Sequence, residues 1–520
     1  MKKTQPKTGI TVVGLGPGDP GQLTVEALGV IESAGEIWVR TAVHPVVDSL
    51  RARVIVHSFD ALYEGARNLE EVYGSIAAEV LNLAWGRGQV VYGVPGHPLV
   101  AEETVRRLLE LARKQKVEVR IVSGVSFLEP VFTALGLDPV ADGLQVVDAA
   151  ALLPYAGYFD SLAADSGDGP LQECSGTSAA LAWSKQPVDP TTPALVCQLD
   201  NRELASVVKL VLSEFYPAEH KVTIVSYAGV VGKEKKSRIR LFELDRRRFD
   251  PLSVLYLPPL DAEEDQSTFD GIRHVVARLR APDGCPWDRE QTHQTLKPYL
   301  LEETHEVLEA LDVKDQEKLC EELGDLLLQI VLHAQLATES GDFLMEDVFR
   351  GIVSKLIRRH PHVFGSRVVS GAAEVVRNWE QIKQGEKGES FSSLDNMPRS
   401  LPALSYAQSL QRRAARVGFD WPEIEGVVDK VIEEMHELKD ASSAEGRVEE
   451  VGDILFTLVN LARWLNVDAE DALRLTNAKF KRRFQNMERL CAERGLVLKD
   501  LSLEQQEELW IESKKAHRGA

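Results

Sequence analysis

The sequence predicts a multidomain protein in which an α/β half is followed by an all-α half. Residues 9 to 260 alternate β-branched runs, among them ITVVGL, QVVYGV, VEVRIV, ALVCQL and KVTIVSYAG, with helix-like stretches, the alternation of an α/β fold. From about residue 268 onward strand signals nearly vanish. There Leu323, Leu326, Leu327 and Ile330 fall at i, i+3, i+4 and i+7, as do Val451, Ile454, Leu455 and Leu458, the spacing of amphipathic helices. A length of 520 residues is too great for one core, and roughly three domains of ordinary size are expected.

Composition narrows the function. Hydrophobic residues make up 44% and charged residues 27%, so the chain is expected to be globular and soluble. A net charge of −20 argues against a nucleic-acid backbone as partner, because binding phosphates needs a cationic surface. It leaves room for phosphates that arrive with a divalent metal on carboxylates. Cys174, Cys197, Cys285, Cys320 and Cys491 are scattered, with no C-x-x-C, so neither a disulfide framework nor a zinc site is indicated. The N-terminus turns from basic residues straight into a strand and a glycine loop, unlike a secretory signal. No apolar run approaches the roughly 20 residues of a membrane span. A cytoplasmic location is expected.

Along the first half, VVGLGPGDPGQLT is a strand, a Gly-Pro turn and a helix start. Gly14, Gly16 and Gly18 permit a tight backbone beside a ligand, although the turn fits neither the Walker loop nor the dinucleotide fingerprint. LTVEALGVIESA reads as a helix, QVVYGV ends in PGHP, and LVAEETVRRLLELARK reads as another helix. Residues 154 to 192 are rich in Gly, Ser, Asp and Pro, and their middle reads as a surface loop,. SRIRLFEL and SVLYLPPL read as closing strands, and the polar DAEEDQST that follows reads as a linker.

The second half repeats itself. Residues 302 to 325 hold ten acids in twenty-four positions. Glu302, Glu303 and Glu306 form E-E-x-x-E, and Glu321, Glu322 and Asp325 form E-E-L-G-D. Glu433, Glu434 and Glu437, then Glu449, Glu450 and Asp453, repeat the order. Lys355 and Arg359 match Lys479 and Arg483, and Trp379 with Lys383 matches Trp510 with Lys514. His305 and His436 mark the same register and take no metal role. This is a duplicated module.

Residues three or four apart share a helical face, so each set of acids converges if its two helices form an antiparallel hairpin. Such a cluster repels itself unless a cation neutralises it. Oxygen-only ligands point to Mg²⁺ or Mn²⁺, and flanking Lys and Arg suit a polyphosphate. Trp379 and Trp510 fit core packing at least as well as substrate contact.

With GCPWDREQTHQTLKPYLLEETHEV, RRHPHVFG and VGFDW, residues 267 to 520 resemble the tandem form of the MazG-type nucleoside triphosphate pyrophosphohydrolases. The resemblance implies an all-α, usually dimeric fold that cleaves NTPs to NMP and pyrophosphate with Mg²⁺. It implies metal-binding and catalytic acids at Glu434, Glu437, Glu450 and Asp453, and substrate contacts at Lys479, Arg483, Trp510 and Lys514. In tandem members the second repeat is typically the catalytic one. The first keeps Glu303, Glu306, Glu322 and Asp325, with Lys355, Arg359, Trp379 and Lys383 behind them. Glu434 is the acid expected to orient or deprotonate the attacking water.

The glycine turn, PGHP at 95–98 and SGVSFLEPVFTALGLD at 123–138 resemble the tetrapyrrole (corrin/porphyrin) methylases, whose two α/β lobes bind S-adenosylmethionine between them. The residues that carry over are Gly14, Gly16, Pro17, Gly18 and Asp19, Pro95, Gly96, His97 and Pro98, and Ser123, Gly124, Val125 and Ser126. Gly96-His97-Pro98 stands where many members read Gly-Asp-Pro. The expected layout is a methylase-like domain over 1–260 (lobes about 9–140 and 141–260), a linker over 261–267, and repeats over 268–395 and 396–520. Nucleoside triphosphates and a second copy of the chain are the expected partners, with no nucleic acid and no membrane. Two other readings use the same residues: a methyltransferase whose helical half only dimerises, and a nucleotide sensor without chemistry.

Overall fold

Strand β1 (Gly9–Gly14) is an interior strand of a parallel sheet, which is why ITVVG is apolar at nearly every position. The structure, a computed structural model, describes residues 8–64, 69–157, 182–249, 252–386, 394, 397–398 and 400–515. They form two compact units, within Met1–Phe349 and within Arg350–Ala520. The middle of the 154–192 stretch lies outside the described residues.

The first sheet adds β2 (Glu36–Val39), β3 (Ile55–Ser58), β4 (Gln89–Val94) and β5 (Glu118–Val122) in the order β3-β2-β4-β1-β5, all parallel. Both faces are covered. Ile10, Val12, Val90 and Tyr92 pack with Ile76 and Val80 of the Leu69–Arg87 helix and with Val105 and Leu108 of the Glu103–Gln115 helix. On the other face, Val13, Ile37 and Val39 pack with Ala27 and Ile31 of the Val25–Ala34 helix. Thr24 caps that helix by accepting from Ala27 N at 3.1 Å,.

The chain leaves β1 towards β2 and leaves β4 in the opposite direction, towards β5. In an open α/β sheet such a switch opens a crevice at the carboxyl ends of the strands. The glycine turn and the Pro95-Gly96 turn meet there, Gly96 N donating to Gly16 O at 2.8 Å.

The second sheet is mixed: β6 (Gln145–Asp148), β7 (Ala194–Cys197), β8 (Lys221–Ser226), β9 (Lys235–Arg240) and β10 (Ser253–Leu257), in the order β6-β7-β10-β8-β9. Its core joins Val196, Ile224 and Leu255 to Ala205, Val208 and Leu212 of the Arg202–Leu212 helix.

Three readings of the sequence need correction. SRIRLFEL is a strand only to Arg240; Leu241–Arg246 is a 3-10 turn that buries Leu241 and Leu244. The helix read from residue 99 begins at Glu103, because Ala101 sits at φ 52 and cannot enter a right-handed helix,. The stretch read as a linker is built: buried Asp265 accepts from Ser267 N and Thr268 N at 3.2 Å, and Thr268 caps the Phe269–Arg280 helix.

The acids of each repeat lie on a helical hairpin. Lys297–Val313 turns at left-handed Lys314 into Gln316–Ser340, whose N-cap Asp315 accepts from Lys318 N at 3.0 Å. Ile424–Asp440 leads into Ala444–Trp464, capped by Ser443, which accepts from Gly446 N at 2.9 Å. The helices are amphipathic, and Leu327 packs against a core cluster, but most of the expected apolar stripe is exposed. Leu323, Ile330, Val451, Leu455 and Leu458 are 49%, 45%, 45%, 50% and 43% exposed. The buried face carries Glu322, Gln329, Glu434 and Asn460.

Candidate functional site

In the second repeat, Glu434 and Glu437 project together from one helix and Glu450 from its partner, with one carboxylate oxygen of each within 4.8 Å of the others. Asp453 stands one turn beyond Glu450, outside that triad. Its charge still reaches Glu450, whose carboxyl is raised above the usual range by burial and by Glu437, Glu434 and Asp453,. Glu450 Oε2 is buried and meets no partner. Glu434, only 4% exposed, has Lys430 Nζ at 2.7 Å from Oε1.

The first repeat builds the same triad from Glu303, Glu306 and Glu322. Burial and then Asp325 and Glu306 raise Glu303; burial and then Glu306 raise Glu322. Its counter-ion is looser: Lys318 stands 3.9 Å from Glu322 and 3.6 Å from Glu309. All-oxygen donor sets that raise one another's pKa and leave a buried oxygen unmet fit a hard divalent cation.

The cations form separate groups. Arg483 lies on the Ala469–Glu493 helix, which packs on Leu503–Lys515, and Ser513 Oγ donates to the Arg483 carbonyl at 2.8 Å. Lys514 lies over the Trp510 ring at 5.9 Å, and Trp510 packs on Phe480 and the cluster of Met487, Cys491 and Leu509. Trp510 is thus at least partly a packing residue. Among the described residues no ion pair joins Lys479, Arg483 or Lys514 to the acids. The corresponding residues of the first repeat lie in the other unit from that repeat's acids. There Arg359 and Lys383 lie over Trp379 at 5.2 and 5.0 Å. Glu386 binds Arg359 and Arg358, which pull its carboxyl down to about 2.

At the carboxyl ends of β1, β4 and β5 the candidate cofactor residues converge. Gly14 and Gly124 pack so closely on the Gly96 carbonyl that a Cβ on either would lie 2.5 Å from it. Pro17, Pro95 and Gly96 line a cavity of about 120 Å³ with Arg40, Glu102, Phe127 and Ala228. Gly96, at φ 67, has room beside it for an atom that no side chain supplies. Asp19 and His97 are turn residues: Asp19 Oδ1 accepts from Gly21 N at 2.7 Å and His97 Nδ1 from Leu99 N at 3.1 Å. Pro98 borders an adjoining cavity with Tyr73 and Asp148. The Ser123 carbonyl accepts from Thr24 Oγ1 at 3.2 Å, and half-buried Val125 precedes Ser126, whose hydroxyl bonds Glu129 at 2.5 Å.

Sequence reasoning missed the wall between the two cavities. Arg40 Nη1 binds Glu102 Oε2 at 2.9 Å, and Gln198 Nε2 donates to the Ala101 carbonyl at 2.9 Å across the lobes. Ala101, Gln198 and Tyr227 are left-handed at φ 52, 60 and 55, and non-glycine residues in that region gather at functional clefts. Backbone conformation leaves no one-residue signature, so no sequence signal pointed to them.

Comparison with known proteins gives the family. Residues 9–245 match the tetrapyrrole (corrin/porphyrin) methylases, and residues 291–364 and 423–487 match the MazG nucleotide pyrophosphohydrolase domain. YabN of Bacillus subtilis is 42% identical over 520 residues, covering 98% of this chain and 99% of that protein. The chain belongs to the YabN family. The nucleoside triphosphate pyrophosphohydrolase/pyrophosphatase MazG of Thermotoga maritima is 49% identical over 247 residues, 47% of this chain and 95% of that protein. A crystal structure of uroporphyrin-III-C-methyltransferase from Thermus thermophilus covers 48% of this chain and 92% of its own, at 20% identity and a TM-score of 0.33. None of the described helices is long and apolar enough to cross a membrane.

Proposed function

We propose that this chain is a nucleoside triphosphate pyrophosphohydrolase that turns NTP and water into NMP and pyrophosphate in its second repeat. The observation that carries the reading is the convergence of Glu434, Glu437 and Glu450 from two helices, with Glu450 Oε2 unmet. These three and Asp453 would hold Mg²⁺ or Mn²⁺, which when bound supplies charge neutralisation and a more acidic water. Lys430 already holds Glu434 Oε1 at 2.7 Å. Glu450, whose Oε2 meets no partner, is therefore better placed than Glu434 to take the water's proton. Lys479, Arg483 and Lys514 neutralise phosphate oxygens. In the first repeat Arg359 is engaged by Glu386, which favours the second as the active one.

The exposed apolar residues of each hairpin, Leu323 and Ile330 on one and Val451, Leu455 and Leu458 on the other, support a homodimer through the helical half, since apolar surface of that kind marks an interface. Light scattering should then give twice the 57.6 kDa chain mass. The cleft of the α/β half, with left-handed Gly96 in its lining and the unpartnered Nε of Arg40, is our candidate for S-adenosylmethionine. A soluble, cytoplasmic, bifunctional enzyme of nucleotide metabolism is the whole proposal.

The test is incubation with Mg²⁺ and each common NTP, followed by phosphorus NMR. NMP with pyrophosphate supports α–β cleavage. NDP with phosphate contradicts it, and binding without product favours a sensor. Calorimetric titration with S-adenosylmethionine checks the other half.

A further inference from the structure

Along the Ala444–Trp464 helix, Phe456, Thr457 and Asn460 follow Asp453 at i+3, i+4 and i+7 and so continue its face,. They line a cavity of about 250 Å³ with Gln411, Phe419 and Trp421. From Glu450 to Asn460 is ten residues, about 15 Å of helix, the reach from a metal-bound triphosphate to the base it carries. Phe419 and Trp421 line the cavity and are 80% and 39% exposed. Gln411, Thr457 and Asn460 are buried at 7%, 7% and 5%.

Gln411 is the informative residue. Its Nε2 donates to the Phe456 carbonyl at 2.7 Å, which fixes the amide and leaves Oε1 as an acceptor. That oxygen is buried and has no partner, a costly state unless a ligand supplies a donor. Asn460 Oδ1 accepts from Arg463 Nε at 2.8 Å, and Arg463 Nη1 binds Asp420 at 2.9 Å, so the polar wall is braced.

The first repeat builds the matching face from different residues. Counting from the shared Gly-x-x-Trp (Gly284 to Trp287, Gly418 to Trp421), Gln411 corresponds to Ala277. Counting from Glu322 and Glu450, Asn460 corresponds to Leu332, which is 4% exposed in a core with Val276 and Leu296. The first repeat does bury an amide, Gln329, at the position of Thr457, but only the second places amides at the positions of Ala277 and Leu332.

We propose that this cavity is the nucleobase subsite of the second repeat, and that Gln411 selects bases presenting an exocyclic amine over their deaminated counterparts. The proposal rests on the pyrophosphohydrolase reading. An amine meets the Gln411 oxygen with a hydrogen; a carbonyl in its place meets it with a second lone pair, and one buried hydrogen bond is worth about tenfold.

The test is kcat/KM for ATP against ITP and CTP against UTP, in wild type, Gln411→Met and Gln411→Glu, with circular dichroism as the check on folding. The wild type should favour the amino member of each pair about tenfold. Gln411→Met should bring the ratio towards one, and Gln411→Glu, which keeps an acceptor oxygen, should retain a preference. Turnover by the wild type with no preference within pairs overturns the subsite alone. A folded Gln411→Met that keeps the full ratio does the same. No turnover of any nucleotide overturns the pyrophosphohydrolase reading and this one with it.

Discussion

Replacing Lys430 by Met removes the built-in counter-ion of the second acid cluster and leaves Glu434 buried with a charge. Lys430 Nζ stands 2.7 Å from Glu434 Oε1, the lysine side chain 33% exposed and the glutamate 6%. Two unit charges at that distance attract by roughly 6 kcal/mol at an effective dielectric of about 20. Lysine desolvation, side-chain entropy and its partial exposure cancel most of this, which leaves about 1–2 kcal/mol, between an exposed pair and a buried one. For a unit of this size that shifts Tm by about 2–4 °C per kcal/mol. The metal-free variant should therefore melt about 2–8 °C below wild type by circular dichroism at 222 nm. Saturating Mg²⁺ should shrink the deficit, because a cation among Glu434, Glu437 and Glu450 then does the neutralising. An unchanged metal-free Tm, or a deficit that Mg²⁺ leaves intact, would refute the account of Lys430 as a stand-in for metal.

Three further outcomes are expected. Glu450→Gln should cut turnover at least about 10²-fold with helix content unchanged; retained turnover would move the chemistry to the first repeat. Glu450 has its folded pKa raised above the ordinary 4.5, so its stabilising share is whole below that value and lost as pH rises through the raised one. Metal-free Glu450→Gln should thus match wild-type Tm at pH 4 and exceed it at pH 7; a gain that does not grow with pH counts against mutual repulsion. Gly124→Ala puts a Cβ 2.5 Å from the Gly96 carbonyl and 2.8 Å from Gly14. It should cost about 2–3 kcal/mol in the urea midpoint of the α/β half, and an unshifted midpoint would show that the turns give way.

The duplicated acids were legible because a helix converts spacing into direction: Glu434 and Glu437 had to share a face, and a short connection had to bring Glu450 back to them. The strands were legible for the same reason, β-branched runs ending at Gly14 and Pro95. What spacing cannot encode is which side of a helix finds a neighbour. Leu323 and Leu455 look like core, yet remain exposed while Glu322 and Glu434 are buried. Asp265 looked like linker because its role depends on the amides of Ser267 and Thr268. Gln411 and Asn460 carried no motif. They are set apart by what surrounds them in three dimensions, although the register of the two repeats, with Ala277 and Leu332 opposite, held the clue.

The hydrogen bond between Gln198 and Ala101 has a mechanical side. Each of the residues it joins is held in a left-handed backbone, at a cost of about 1–3 kcal/mol, while a neutral hydrogen bond returns about 0.5–1.5 kcal/mol net. The bond therefore cannot hold its own ends in place. The packed sheets on either side hold them, as a frame holds a drawn bow. The strain therefore sits within each lobe, and the bond marks where the lobes meet without being what shapes them.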